Sequence, residues 1–213
     1  SVFAQLSDLA EVLLDALYRM VLEQAKERYG EPMGENGQPV SMVVYGLGKL
    51  GSREMSYGSD LDLIFITSGS GLTDGPRQLT SAEFFVRVAQ RLINALTTGF
   101  VHGALYHVDT RLRPSGSQGT LVVSFSAFEE YHRRAQLWER QVLIKARPVA
   151  GDRELGERIE AWREQFVYRS DLGDERMRLA AEIKRLRMRI EKELAGENLD
   201  FYNLKLGEGG LLD

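Results

Sequence analysis

The chain has 213 residues, 43% of them hydrophobic and 27% charged, which is material for one sizeable core, or for one core with a small appendage. A formal net charge of −4 speaks against non-specific nucleic-acid binding, and the absence of cysteine excludes a disulfide scaffold or a zinc–thiolate site. No run of eighteen apolar residues occurs and residues 1–20 carry polar and acidic positions throughout, so neither a membrane-spanning helix nor a secretion signal is expected, and a cytoplasmic location fits.

The chain starts at Ser1 without methionine and stops at Asp213 directly after Leu211-Leu212, which reads as a piece cut from a longer polypeptide. From Val2 to Arg28, Leu6, Leu9, Val12, Leu13, Leu17, Met20 and Val21 recur at helical spacing, and Gly30, Pro32, Gly34 and Gly37 end the helix in a loop. Ser41 to Tyr45 is a short β-prone run leading into a glycine-rich turn, and Leu61 to Thr67 is a second; both read as buried strands. A helix is expected from about Ser81 to Leu96, with Phe84, Val88, Leu92 and Leu96 on one face. Leu105 to Leu112 alternates as a third strand would, stopped by Pro114 and Gly116, and Gly119 to Ser124 adds a short one. Helical pattern resumes over Ala127 to Gln136, Leu143 to Val149 has no clear period, and the chain is helical from Arg153, ending in a long helix over Glu175 to Leu194. The outline is an α+β fold. An N-terminal helix and loop (1–38) and a C-terminal helical extension (151–213) flank a core of mixed strands and helices (39–150).

Gly46-Leu47-Gly48-Lys49-Leu50-Gly51 matches the glycine fingerprint of dinucleotide-binding folds and follows a strand. That reading fails downstream. The next strand begins by Leu61, too soon for a full crossover helix, and the position about twenty residues on is Gly69 to Gly71, with no carboxylate. No Lys-Ser or Lys-Thr follows Gly51, as a nucleoside-triphosphate P-loop would require.

Taken with Ser59-Asp60-Leu61-Asp62-Leu63, the turn has another meaning. Residues two apart on a strand point to the same side, about 6.6 Å apart along its axis. Asp60 and Asp62 therefore project together beside the glycine turn and repel by about 3 kcal/mol at an effective dielectric near 20, a cost that a bound divalent cation relieves. An isolated pair of this kind is more often a solvated strand entrance. Twelve residues after the turn's central glycine, it points instead to a two-metal phosphoryl-transfer site. The third strand supplies Asp109 on one face with His107, Arg111 and Arg113, placing a further metal ligand beside groups that can hold phosphate oxygens; an Asp–Arg pair closing a sheet edge is the plainer alternative. Lys49 can neutralise phosphate charge, and Lys145 and Arg147 would aim together at a triphosphate or substrate if their segment is a strand. His102, His107 and His132 lack metal-ligand spacing, and Lys184, Arg185, Arg187 and Arg189 lie on a helix whose apolar stripe is Leu179, Ile183, Leu186 and Ile190, a solvated face or a docking one.

The glycine turn followed by Ser59-Asp60-Leu61-Asp62 resembles the DNA polymerase β-like nucleotidyltransferase superfamily, whose glycine turn opens a triphosphate site and whose acidic pair, with a third strand carboxylate, holds two Mg²⁺. The longer strings YGLGKLGSREMSYGSDLDLIF, DTRLRPSGSQGTLV, WERQVLIKARPVAGD and KLGEGGLLD are similar to the glutamine synthetase adenylyltransferase family, also called the adenylyl-removing enzyme, from about Val43 to the end. The resemblance implies a polymerase β-like core, with Asp60, Asp62 and Asp109 as catalytic and metal-holding residues, and Gly46, Gly48, Lys49, Gly51, Ser59, Arg111 and Arg113 as the nucleotide site. It also implies two Mg²⁺, ATP as substrate, glutamine synthetase as protein substrate and the PII signal protein as a partner of the intact enzyme, with neither nucleic acid nor membrane as a partner. That family carries two such domains, one adenylylating a tyrosine and one removing the group by phosphorolysis. RLRPSG and the Asp after EGGLL are more like the C-terminal, adenylylating half; the removing half would carry phenylalanine at Ser115 and Arg-Glu near Leu212-Asp213. A non-catalytic nucleotide-binding or docking domain is the alternative of another class.

Overall fold

The structure is a computed structural model that describes residues 1–98, 104–134, 137–168 and 175–190. Residues Ser1–Tyr168 form one compact unit and 169–213 a second. In the first, α1 (Val2–Tyr29), β1 (Pro32–Gly34), β2 (Met42–Gly46), α2 (Gly48–Gly51), β3 (Leu61–Thr67), β4 (Gly71–Thr73) and α3 (Ser81–Thr97) follow in order. They are succeeded by β5 (Val108–Asp109), β6 (Val122–Ser124), α4 (Phe125–Arg134), α5 (Leu137–Ile144), β7 (Arg147–Gly151) and α6 (Arg153–Val167). The fold is α+β. Its main sheet runs β5-β3-β2-β7, with β6 also on β3, and β1 and β4 make a separate antiparallel ribbon.

Strand alternation divides the core into two layers. Met42 and Val44 of β2, with Leu61, Leu63 and Phe65 of β3, pack under α1 and α3. Val43, Tyr45, Ile64 and Ile66 face the opposite way and pack with α4, α5 and α6. Asp62 shares the parity of Ile64 and Ile66, so the acidic pair lies at the open end of the layer that α4–α6 cover. Thr80 caps α3 reciprocally with Glu83, and the expected face of Phe84, Val88, Leu92 and Leu96 is buried.

The inner face of α1 is Ser7, Ala10, Leu14, Tyr18, Val21, Ala25 and Tyr29, while Leu9, Val12 and Met20 are exposed. An apolar count misplaces this face because two of its members act through hydrogen bonds: the Tyr18 hydroxyl donates to the Met42 carbonyl at 3.0 Å, and Ser7 Oγ accepts from the Met55 N–H at 3.3 Å. Burial and the nearby Asp152 and Asp15 push the Tyr18 hydroxyl well above its usual range, so it stays a donor.

The segment without clear period, Leu143 to Val149, holds the end of α5 and the start of β7. Arg163 joins α5 to α6 by donating to the Leu143 and Ile144 carbonyls and to Glu160, which also accepts from the buried Tyr45 hydroxyl. His132 sits in the core with its Nδ1 2.8 Å from the Phe128 carbonyl, and burial depresses its pKa. The expected helix over Ala127 to Gln136 is α4, Gln136 lying outside the described residues. In the second unit, α7 (Glu175–Ile190) is helical as expected, with an Arg185–Glu182 ion pair; His102 and residues 191–213, including KLGEGGLLD, lie outside the described residues. Among the described residues no helix is long and apolar enough to cross a membrane.

Candidate active site

β2 and β3 run antiparallel with Gly46 opposite Leu63, so the turn leaving β2 meets the start of β3. The Leu47 N–H donates to the Asp62 carbonyl at 2.9 Å, and α2 then makes a single turn, Gly51 N–H reaching the Leu47 carbonyl at 2.9 Å. Gly48 stands at φ +54°, and a Cβ there would lie 2.4 Å from Asp62 Oδ2. The turn thus has no room for a side chain because the carboxylate occupies it. A Cβ on Gly51 would lie 1.9 Å from the Lys145 carbonyl oxygen, which brings the chain entering β7 onto the same turn.

Arg147 secures that approach. Its guanidinium donates to the Leu50 and Gly51 carbonyls, at 3.1 and 2.9 Å, and pairs with Glu11 of α1. These are the C-terminal carbonyls of α2: Leu50 also accepts the Arg53 N–H at 3.2 Å, and Gly51 relies on the arginine. Lys145 precedes β7 and pairs with Glu54 at 2.9 Å, so the two residues do not share a strand face. Both steady the loop around α2, a part that sequence spacing could not reveal because Glu11 lies 136 residues from Arg147.

Between α2 and β3 a chain of hydroxyls leads to the carboxylates. Lys49 Nζ donates to Ser56 Oγ at 3.4 Å, Ser56 Oγ lies 3.0 Å from Ser59 Oγ, and the Ser56 N–H also donates to Ser59 Oγ at 3.0 Å. Asp60 follows, exposed at the strand's mouth.

The third aspartate is brought in by a parallel pairing. β5 lies beside β3 in the register Leu61↔Val108 and Asp62↔Asp109, and the Leu61 N–H donates to the His107 carbonyl at 2.9 Å. Asp62 is half-buried, and its pKa is raised by burial and by the charges of Asp109 and Asp60, with Arg111 opposing. The expected strand over Leu105 to Leu112 is reduced to two residues. Asp109 Oδ1 accepts the Arg111 N–H at 2.8 Å, bending the chain into a turn.

Arg111 and Arg113 consequently leave strand periodicity and part company. Arg111 places its guanidinium on both oxygens of Asp109, at 2.5–3.0 Å, and holds that carboxyl below its ordinary range. Arg113 donates to the carbonyls of Thr110, Ser117 and Gly119 and fixes the loop that follows. An open groove of about 560 Å³ is lined by Asp60, His107, Asp109 and Arg111, and a neighbouring cavity of about 320 Å³ lies between Arg111, Ser115, Tyr131 and Glu139.

The donor set suits a magnesium-type ion. It is all oxygen, and two of its carboxylates face each other at the cost of a raised pKa. Among the described residues no three such groups encircle an ion unaided. Magnesium commonly takes one or two carboxylates and completes its shell with phosphates and water.

A glycine turn sealed against a carboxylate cluster defines the class of the site: a close backbone turn facing oxygen ligands. Comparison with known proteins gives the family. The model for glutamate-ammonia ligase adenylyltransferase matches residues 1–162, and the chain belongs to this family. The bifunctional glutamine synthetase adenylyltransferase/adenylyl-removing enzyme of Methylococcus capsulatus is 41% identical over 215 residues, covering 98% of this chain and 22% of the relative. Its namesake in Pseudomonas putida is 42% identical over 209 residues (97% and 21%), and that of Acinetobacter baylyi 37% over 220 residues (98% and 24%). The chain spans less than a quarter of the length of these relatives.

Proposed function

We propose that this chain is a polymerase β-like nucleotidyltransferase domain that transfers AMP from ATP to a tyrosine of glutamine synthetase. The observation that carries the reading is the register that sets Asp62 opposite Asp109, with the Asp62 carboxylate against Gly48. Asp60 and Asp62 would hold two Mg²⁺, with Asp109 on the one nearer the attacking oxygen. Bound there, the ions would neutralise phosphate charge and orient the reacting oxygens. The turn over Gly46, Gly48 and Gly51 would cradle the β- and γ-phosphates with backbone N–H groups, Lys49 adding charge and Ser59 orienting the approach to Asp60. Arg111 would meet the phosphates directly, while Arg113 serves the same site by bracing the loop that carries it.

The tyrosine oxygen attacks the α-phosphorus in line as the bond to the β-phosphate's bridging oxygen breaks, and pyrophosphate leaves. Asp109, beside the nucleophile, accepts the phenolic proton. The three proposed segments, 1–38, 39–150 and 151–213, would serve as support, catalytic core and helical extension, and the longer cytoplasmic polypeptide would respond to the PII signal protein.

Ser115 favours the adenylylating direction over the phosphorolytic one. Incubation with glutamine synthetase, Mg²⁺ and α-labelled ATP should label the synthetase. ADP released from adenylylated synthetase and phosphate would establish the removing half instead, and neither product would leave a docking domain.

A further inference from the structure

Arg111 and Arg113 are two residues apart yet differently held. Arg113 is tied to three backbone carbonyls. Among the described residues, the hydrogen bonds of the Arg111 side chain go to one group, the Asp109 carboxylate, through Nε at 3.0 and 2.9 Å and Nη2 at 2.5 Å, with its backbone N–H adding a fourth at 2.8 Å. Both oxygens of Asp109 are thereby engaged. The Arg111 side chain is 79% exposed and Asp109 only 20%, so the arginine forms the solvent side of the pair. It also lines both the groove beside Asp60 and the cavity next to Ser115. The guanidinium therefore has open space on two sides and one anchor, and that anchor is a carboxylate that the proposed reaction needs for a metal.

We propose that Arg111 is an exchangeable counter-ion of Asp109. It holds the carboxylate until a divalent cation arrives, yields the oxygens, and turns its charge onto the nucleotide's phosphates. This rests on the metal reading of Asp60, Asp62 and Asp109 given above. Guanidinium suits both roles, since its planar donors match carboxylate and phosphate oxygens alike. The exchange makes metal and nucleotide binding cooperative: the cation alone must displace Arg111, whereas with the nucleotide present the displaced arginine gains a new partner.

Titration of the 213-residue chain with Mn²⁺, followed by electron paramagnetic resonance of the free ion, tests this without turnover. Arg111→Met keeps the alkyl stem and removes the charge. Without nucleotide it should tighten Mn²⁺ binding by up to about fivefold, as loss of a competing exposed ion pair would. In the presence of Mn²⁺ it should weaken binding of α,β-methylene-ATP by a similar factor. In an Asp109→Asn background the gain in Mn²⁺ affinity should vanish.

Unchanged or weaker Mn²⁺ binding by Arg111→Met overturns the exchange, and so does a gain that survives Asp109→Asn, which would be a field effect only. Asp62→Asn separates the levels. If it leaves Mn²⁺ binding untouched, the metal reading falls and the exchange with it. If it weakens binding while Arg111→Met changes nothing, the exchange alone is lost.

Discussion

The carboxylate of Asp62 fills the space where a side chain on Gly48 would begin, Oδ2 lying 2.4 Å from the position of an added Cβ. A residue of the turn and a residue of the next strand thus define each other: the turn is glycine because the aspartate is there, and the aspartate is steered by the turn. The Leu47 N–H bond to the Asp62 carbonyl fixes the same pair of segments through the backbone.

Gly48→Ala should therefore damage both fold and site. The left-handed backbone alone costs about 1–2 kcal/mol for a residue with a Cβ, and displacement of Asp62 adds to it. The relationship predicts coupling: in an Asp62→Ala background, the penalty of Gly48→Ala measured by denaturant unfolding should shrink, because the clash has lost its partner.

Asp62→Asn should lower label transfer by at least about a hundredfold while leaving the thermal midpoint unchanged or raised by about 1–3 °C. Asp60→Asn should abolish transfer likewise. Near-normal activity in either variant would remove these residues from the metal site.

The two facing carboxylates should leave opposite signatures in acid. Asp62 has a folded pKa above its ordinary 3.8. Its ionisation thus weighs against the folded state, and its contribution is lost as pH rises from 3.8 through the folded value. Asp109 has a folded pKa below 3.8 because Arg111 binds the ionised form. Its contribution is present above 3.8 and lost as pH falls through the folded value. Melting curves from about pH 2 to pH 7 should show Asp62→Asn gaining on the wild type toward neutrality and Asp109→Asn losing, the differences shrinking in acid.

Arg147→Ala should cost about 2–3 kcal/mol, because it strands the Gly51 carbonyl, takes a second donor from the Leu50 carbonyl and unpairs Glu11. With α2 loosened, nucleotide affinity should fall although Arg147 reaches no carboxylate of the site. Glu11→Gln should produce a milder loss of the same kind. Urea unfolding together with binding of α,β-methylene-ATP measures both effects.

What could be read from sequence follows the range of the interactions involved. β2, β3 and α3 are local patterns of alternation and helical period, and they lie where those patterns place them, with Asp62 on β3 and Asp60 just before it. The third strand was legible only as far as Asp109, since alternation continues through Arg113 while the chain itself bends as the Asp109 carboxylate takes the Arg111 N–H. α5 escaped because LWERQVLI has too little polar contrast to mark a face. The inner stripe of α1 was obscured by Ser7 and Tyr18, whose burial depends on Met55 and Met42 far along the chain. Arg147 looked like a substrate contact because nothing nearby in sequence names Glu11 as its partner.

β3 accepts two short parallel partners on the same side, β5 at Leu61–Asp62 and β6 at Phe65–Thr67. Residues 110–121, which connect these partners, leave the sheet and return to it, carrying Arg111, Arg113 and Ser115 on the excursion. Both attachment points are backbone pairings, indifferent to what the excursion contains. Evolution is thereby given a cassette: its length and side chains can be rewritten while the buried strand that carries Asp62 stays unaltered.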